Sequence, residues 1–157
     1  MQMAKNVQEI VNSSTIPSGS RIYSAGNSAT PQALLKQLAS DDSIHDVELL
    51  GVLLMGDLQE LFNDDACTRI NHRIIFNGAQ SRSALNKGQA MYQLMHLSDI
   101  PRQLEKYIQP NIVFLTVSGP DNGGNYSLGT AVEGLPAAIN VVKDLGGLVI
   151  AERNAQM

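Results

Sequence analysis

The stretch Ile112-Val113-Phe114-Leu115-Thr116-Val117 decides the fold class, because it is an almost continuous apolar run that ends in a polar, glycine-bearing loop. Strands of this composition are typical of a parallel sheet that is covered by helices on both faces. Similar short runs recur along the chain. The predicted strands are Arg21–Ser24, Val47–Met55, Arg73–Phe76, Met91–Met95, Ile112–Val117 and Leu148–Ala151.

Segments with helical spacing lie between these strands. Thr30 is predicted to cap a helix over Pro31–Ala39, with proline at its first position. Ala131–Lys143 has the apolar spacing of a helix, but Gly134 and Pro136 disfavour helix in its first turn and move the expected start later. The alternation predicts an α/β fold with a doubly wound, mostly parallel sheet and Rossmann-like layers. The other predicted helices are Ala4–Val11, Ser81–Asn86 and Ser98–Tyr107.

Length and composition narrow the class of protein. The 157 residues suit one domain, and 43% of them are hydrophobic while 17% are charged. A net charge of −4 argues against a nucleic-acid partner held through its phosphates. The single cysteine, Cys67, excludes a disulfide framework and fits a reducing, cytoplasmic location. Met1–Lys5 lacks the apolar run of a signal peptide, and the longest apolar stretch, Leu49–Met55, is too short to span a membrane.

The C-terminal end of the chain predicts an incomplete domain. Residues 147–152 have the composition of a buried strand, and the sequence ends five residues later at Met157. A strand in a doubly wound fold is normally followed by a crossover that covers the sheet. We therefore expect residues 1–157 to form a single α/β domain that is truncated at its C-terminal end.

Polar loops follow the first, third and fifth predicted strands, and parallel topology would bring all of them to one edge of the sheet. The first, residues 25–32, leads into a helix whose N-terminus favours an anion or a carboxylate. The second spans residues 77–82 and the third residues 118–129. Each loop alone can be explained by turn formation. The coincidence of all three favours a ligand site.

Other chemistries find less support in the sequence. Gly26-Asn27-Ser28-Ala29-Thr30 resembles a nucleophile elbow, but its last position is threonine and no histidine follows late in the chain. His45, His72 and His96 are too far apart in sequence to suggest a metal site. The glycine-rich phosphate-binding motifs of nucleotide-binding proteins do not occur.

A series of short segments resembles the acetyl-CoA hydrolase/transferase family, which includes 4-hydroxybutyrate CoA-transferases and succinyl-CoA:acetate CoA-transferases. The segments occur in the family's order along essentially the whole chain. They are Gly26 with Thr30-Pro31-Gln32; Phe76 to Arg82 with Ala84, Asn86, Gly88 and Ala90; Leu97 to Arg102; Ser118 to Asp121 with Gly124 and Ser127 to Gly129; and Val149 to Glu152 with Asn154, Gln156 and Met157.

The resemblance implies a CoA-transferase-like fold of two related α/β domains, of which this chain matches the first, and a role in acetate metabolism. It implies a ping-pong reaction through a glutamyl-CoA thioester, with acyl-CoA and a small carboxylate as substrates and no covalently bound cofactor. The nucleophilic glutamate of the family lies in the second domain, so no catalytic residue is assigned here. The implied substrate-binding residues are Gly26, Asn27, Ser28, Pro31, Gln32, Asn77, Gly78, Ser118, Asn122, Gly124, Ser127 and Gly129.

Three functions therefore remain open. The main hypothesis is the N-terminal domain of a CoA-transferase or acetyl-CoA hydrolase that is inactive alone, depends on the second domain and forms homo-oligomers. The second is a non-catalytic module, derived from that family, that binds a ligand or a partner. The third is an unrelated hydrolase that uses Ser28.

Overall fold

A computed structural model describes residues 6–130 and 132–157 and contains one six-stranded sheet in which every pairing is parallel. The strand order is β4-β3-β2-β1-β5-β6. This confirms the predicted doubly wound parallel sheet. The strands are β1 (Arg21–Ser24), β2 (Val47–Gly51), β3 (Ile70–Ile74), β4 (Ala90–Tyr92), β5 (Ile112–Val117) and β6 (Leu148–Arg153).

Helices cover both faces of the sheet. They are α1 (Gln32–Ser40), α2 (Ala66–Arg69), α3 (Arg82–Asn86), α4 (Ile100–Gln103) and α5 (Leu135–Asp144). A π-helical turn, Leu104–Ile108, continues α4. Single 3-10 turns occur at Val7–Glu9, Asn27–Ala29, Glu60–Phe62 and Leu97–Asp99. Among the described residues, no helix has the length and apolar character needed to cross a bilayer.

The winding direction reverses beside β1. The chain runs outward from β1 through β2 and β3 to β4, then returns to place β5 on the other side of β1. Ile22 packs with α1 on one face of the sheet, whereas Tyr23 packs with α4 and α5 on the other. Because successive strand residues face opposite sides, the central strands β1, β2 and β5 each contribute to two separate apolar cores. The reversal creates a crevice between β1 and β5 at the carboxyl edge, the usual position of ligand sites in such sheets.

The structure corrects several predicted strand boundaries. β1 and β5 have the predicted bounds. β2 ends at Gly51 rather than Met55, because the next two backbone carbonyls accept hydrogen bonds from other loops. The Val52 carbonyl accepts from the Phe76 N–H, and the Leu53 carbonyl accepts from the Asn27 N–H. β3 covers Ile70–Ile74 instead of the predicted Arg73–Phe76, since its exposed Asn71 hides the strand pattern. β4 is shorter than Met91–Met95, and β6 continues past Ala151 to Arg153.

The helix predictions also require corrections. Pro31, not Thr30, occupies the N-cap of α1, because the Thr30 hydroxyl donates to the Asn27 carbonyl and accepts from the Met55 N–H. The segment predicted as Ala4–Val11 contains only the turn Val7–Glu9, and Ala4 and Lys5 lie outside the described residues.

The remaining helices differ from their predictions mainly at their starts. α3 begins at Arg82, one residue after the predicted Ser81. The predicted helix from Ser98 starts as a 3-10 turn that is capped by His96. The later start expected for the last helix is confirmed, because α5 begins at Leu135. α2 was not predicted, because it is only four residues long.

Arg69, at the end of α2, joins three parts of the chain. Its guanidinium donates to the carbonyl oxygens of Ala39 at 2.7 Å, Ile44 at 3.1 Å and Asp41 at 3.2 Å. The side chain is only 12% exposed, so these carbonyls have little access to water. The contact therefore fixes the C-terminal end of α1 against α2.

Replacement of Arg69 by alanine is expected to lower the free energy of unfolding by about 3 kcal/mol, because three poorly solvated carbonyls lose a charged donor. Lys36→Ala is a matched control that removes an exposed ion pair to Asp57, and it should cost no more than about 1 kcal/mol. Urea unfolding of both variants measures the difference. Equal destabilisation by the two substitutions would contradict the role assigned to Arg69.

Candidate functional site

The carboxyl edge of the sheet carries four loops that contact one another. They follow β1 (residues 25–31), β2 (52–57), β3 (75–81) and β5 (118–130), and we call them together the rim. The β2 loop connects the β1 and β3 loops: the Leu53 carbonyl accepts from the Asn27 N–H at 2.7 Å, and Gly78 packs against the Leu53 side chain. Sequence analysis missed the β2 loop, because its apolar residues were assigned to the strand.

Gly26 is the second residue of the β1 loop and packs closely against the β2 loop. A Cβ at this position would lie 2.8 Å from the Leu53 carbonyl oxygen and 3.2 Å from Glu133 Oε1. Any larger residue would therefore push the β1 and β2 loops apart. After Gly26 the chain makes the 3-10 turn Asn27–Ala29, which leaves Ser28 exposed at the crevice.

Asn27 and Glu133 join the β1 loop to the segment that leads into α5. The Asn27 side-chain amide donates a hydrogen bond to Glu133 Oε1, and Gly26 packs against the same carboxyl group. Both Asn27 and Glu133 have a left-handed backbone, with φ of 49° and 44°. Burial raises the pKa of the Glu133 carboxyl above its ordinary value, although the hydrogen bond from Asn27 and the nearby Gly26 N–H act in the opposite direction.

Tyr23 lies beneath this contact and is fully buried. Its hydroxyl accepts a hydrogen bond from the Gly134 N–H at 3.2 Å. Burial, and then the nearby Glu133 charge, raise the pKa of the Tyr23 hydroxyl above its ordinary value, so the group stays protonated. Sequence analysis missed the roles of both Tyr23 and Glu133, since neither belongs to a recognisable motif.

The sequence predicts that the N-terminus of α1 favours an anion, and in the structure a carboxylate of the chain itself lies there. The Ala33 N–H donates at 2.8 Å to the carboxylate of Glu152, which reaches across from β6. The chain thus supplies its own anion to this helix end. Pro31 is buried, and the Gln32 side chain accepts from the Asp57 N–H at 3.2 Å and so braces the β2 loop.

The β3 loop contributes Asn77 and Gly78. Asn77 is exposed, and its side-chain oxygen accepts from the Ser81 hydroxyl at 3.2 Å. Gly78 packs against the end of the Leu53 side chain, and a Cβ there would lie 2.8 Å from its Cδ1. The Gln80 side chain donates to the Gly56 carbonyl and ties this loop to the β2 loop. Both predicted residues therefore lie on the rim, on the side away from β5.

Hydrogen bonds between its own polar groups hold the β5 loop in one conformation. Asp121 Oδ1 accepts from the N–H groups of Gly123 and Asn125, both at 2.8 Å, and these bonds lower the pKa of the Asp121 carboxyl. The Ser118 hydroxyl accepts from the Ser127 N–H at 2.9 Å, and the Ser127 hydroxyl accepts from the Gly129 N–H at 3.0 Å.

Within the β5 loop, the predicted binding residues Ser118 and Ser127 thus brace the loop. Asn122 and Gly124 are exposed at its tip, and Gly129 is exposed near its end. The end of the loop meets the β1 loop, where the hydroxyls of Ser28 and Thr130 lie 3.3 Å apart.

The hydrolase hypothesis gains no support from this geometry. In the described part of the chain, the side-chain partner of the Ser28 hydroxyl is Thr130, and no histidine contacts it. His96 instead lies 2.8 Å from the Ser98 hydroxyl. Residues 6–130 and 132–157 contain no group of three or more histidine, cysteine, aspartate or glutamate side chains that could hold a metal ion.

A cavity of about 10 Å³, room for one water molecule, lies between β2, β3 and the start of α3. His72 lines it, is buried, and stacks on Phe62 with ring centroids 4.7 Å apart. His72 Nε2 has no partner among the described residues. Burial lowers the pKa of His72 to about 4, so the ring is neutral. His72 is therefore a residue of the core.

The low pKa of His72 makes folding sensitive to acid. The unfolded chain binds a proton at this histidine below about pH 6.5, whereas the folded chain does so only near pH 4. The contribution of the neutral His72 side chain to the free energy of unfolding is present above pH 6.5 and is lost as the pH falls towards 4. Between pH 7 and 4.5 this group alone should remove roughly 2–3 kcal/mol.

The measurement is urea unfolding at several pH values. His72→Leu should lose less stability on acidification than the unsubstituted chain, by the amount assigned to His72. His45→Gln, which changes an exposed histidine, should keep the full acid sensitivity. Parallel stability curves for the His72→Leu variant and the unsubstituted chain would contradict this account.

Fold and rim define an α/β domain with a crevice at the point where a doubly wound sheet reverses direction. The chain belongs to the acetyl-CoA hydrolase/transferase family, because residues 2–157 match the family model "Acetyl-CoA hydrolase/transferase N-terminal domain". The resemblance stated from the sequence is thereby confirmed.

Individual relatives agree with this assignment. The chain is 31% identical over 125 residues to the succinyl-CoA:acetate/propanoyl-CoA:succinate CoA transferase of Fasciola hepatica, a match that covers 77% of this chain and 26% of that protein. It is 28% identical over 146 residues to the 4-hydroxybutyrate coenzyme A transferase of Clostridium kluyveri, covering 92% of this chain and 33% of that protein.

A solved structure shows the same fold. RipA from Yersinia pestis matches with a TM-score of 0.84 at 24% identity, covering 98% of this chain and 37% of that one. The chain thus spans between a quarter and two fifths of the length of these relatives.

Proposed function

We propose that this chain forms the acyl and carboxylate pocket of an acyl-CoA:carboxylate CoA-transferase or acetyl-CoA hydrolase. The observation that carries the proposal is the Asn27–Ala29 turn at the β1–β5 crevice. Gly26 is packed too closely for a side chain, and Ser28 is exposed beside the β5 loop. Backbone donors and small residues at such a crevice suit a thioester carbonyl or a carboxylate.

The proposed chemistry proceeds in two stages. A glutamate carboxylate attacks the thioester carbonyl of the acyl-CoA and displaces the CoA thiolate, which leaves an anhydride between the acyl group and the glutamate. The thiolate then attacks the glutamyl carbonyl of this anhydride, so that CoA becomes joined to the glutamate as a thioester and the acyl group leaves as its carboxylate. An acceptor carboxylate, or water, then resolves the glutamyl-CoA thioester. Coenzyme A is a substrate in this scheme. The rim residues bind and orient the reacting groups.

The attacking glutamate is proposed to lie outside residues 1–157, on the second domain that the family resemblance implies. The contacts of this chain's own glutamates support that placement. Glu48 is paired with Arg73 at 3.0 Å, Glu133 holds the β1 loop, and Glu152 occupies the N-terminus of α1. The others, Glu9, Glu60 and Glu105, are exposed and do not belong to the rim loops.

A non-catalytic binding module is the second candidate. It is favoured by the β5 loop, whose serine and aspartate side chains are engaged within the loop and so are not offered to a substrate. A module of this kind would bind a ligand or a partner through the exposed loop tip without turnover.

The chain alone is expected not to turn over acyl-CoA, because the proposed nucleophile is absent from it. The purified chain is incubated with acetyl-CoA, or with succinyl-CoA and acetate. Free thiol, exchanged acyl-CoA and protein-bound thioester are then measured. Adding the second domain in trans should produce transfer or hydrolysis, whereas a non-catalytic module would stay inactive. Hydrolysis by the chain alone, abolished by Ser28→Ala, would contradict the proposal and support the hydrolase hypothesis.

With the second domain present, Asn27→Ala is expected to lower turnover on the order of 10²-fold, because the turn that it fixes would move relative to the acyl group. Asn140→Ala on the exposed side of α5 is the matched control and should leave turnover unchanged. Circular dichroism of the chain checks that both variants fold. Unchanged acyl transfer in a folded Asn27→Ala protein would place the pocket elsewhere.

We also propose that the open edge of the sheet beside β6 associates with a second copy of the chain. Leu148 is 44% exposed and Val149 43% exposed on this edge strand, and Leu145 before it is 51% exposed. An edge strand with exposed apolar side chains favours association. Sedimentation should show self-association that Val149→Lys weakens. A monomer at high concentration would contradict this proposal.

A further inference from the structure

We propose that Glu133 is a positioning residue: its carboxyl group holds the Asn27–Ala29 turn so that the N–H of Ser28 is presented to the acyl carbonyl oxygen. The proposal rests on the proposed function for the reaction that it serves. Its structural part, that Glu133 determines the conformation of the turn, is independent of that function.

The hydrogen bonds of the turn single out Ser28. The Asn27 N–H donates to Leu53, the Ala29 N–H to Gly26, and the Thr30 N–H to Asn27. Within the described residues, the Ser28 N–H has no acceptor, and Ser28 is exposed. A fixed, unoccupied N–H at the crevice is the kind of donor that stabilises negative charge on a carbonyl oxygen during acyl transfer.

The turn is costly to form, and Glu133 stabilises it. Asn27 and Glu133 both have positive φ, a conformation that costs on the order of 1 kcal/mol or more for a residue other than glycine. Such a conformation persists only where the surroundings impose it. Here the carboxyl group accepts a hydrogen bond from the Asn27 side chain and packs against Gly26, the residue before the turn.

Among the described residues, the Glu133 carboxyl group makes no ion pair, and its Oε2 is buried without a hydrogen-bond partner. An unpaired buried oxygen lowers the stability of the fold. The gain is the fixed geometry of the β1 loop. A glutamine would offer the same accepting oxygen, whereas alanine would offer none.

The first experiment follows the Asn27 side-chain amide in the 157-residue chain by two-dimensional ¹H–¹⁵N NMR, with Asn27→Ala used to assign the signal. Its proton should resonate downfield and follow the titration of Glu133. Glu133→Ala should move the signal to the position of a free carboxamide, and Glu133→Gln should keep it downfield without the titration. Glu105→Ala, at an exposed glutamate, is the matched control.

Glu133→Asp provides a second variant in case Glu133→Ala does not fold. The aspartate side chain is shorter by one methylene, so its carboxylate should not reach the Asn27 amide. The Asn27 signal of this variant should therefore move to the same position as in Glu133→Ala. An Asn27 signal that stays unchanged in a folded Glu133→Ala or Glu133→Asp chain would overturn the positioning role.

The second experiment measures acyl transfer with the second domain present. Glu133→Ala should lower kcat by 10- to 100-fold, leave KM for acyl-CoA within threefold, and be rescued by Glu133→Gln. Its effect should largely disappear in an Asn27→Ala background, because both substitutions release the same turn. If Glu133→Ala moves the Asn27 signal but leaves kcat unchanged, Glu133 does hold the turn. The same result would refute the proposal that the acyl pocket lies at this turn.

Discussion

The pairing of β1 with β5 is the constraint on which the rest of the molecule depends. The strands are in register from Ile22 opposite Ile112 to Ser24 opposite Phe114, although three other strands separate them in sequence. Asn111 secures the start of the pair, since its side chain accepts from the Arg21 N–H at 2.8 Å and its own N–H donates to the Arg21 carbonyl at 3.0 Å. This pairing sends α1 and α5 to opposite faces and brings the loops after β1 and β5 together.

The rim satisfies most of its own polar groups before any ligand arrives. Glu152 fills the helix end that the sequence suggested for a substrate anion, and Asp121 organises the loop that the sequence suggested as a lining. The N–H of Ser28 has no acceptor among the described residues, and Ser28 lies where the β1 and β5 loops meet. A small number of unoccupied donors in an otherwise fixed frame is the arrangement expected of a preorganised site.

Sequence reasoning succeeded where burial dominates and failed where loops exchange hydrogen bonds. β5 is buried on both faces, so its apolar run alone located it. The cap at Thr30 was wrong because its hydroxyl has closer partners at Asn27 and Met55. The family was identified from short segments spread along the chain. Glu133 escaped detection because its role depends on Asn27, a residue distant in sequence that only the folded sheet brings within reach.

Hydrogen bonds within the β5 loop fix its backbone independently of the side chains at its tip. Asp121 fixes the bend through backbone N–H groups, so the shape depends little on the side chain at Asn122, which is exposed at the tip. Substitutions at that position can therefore change the surface that the tip presents while the backbone stays in place. In evolutionary terms, the loop can vary its tip by single substitutions without a change in the hydrogen bonds that fold it.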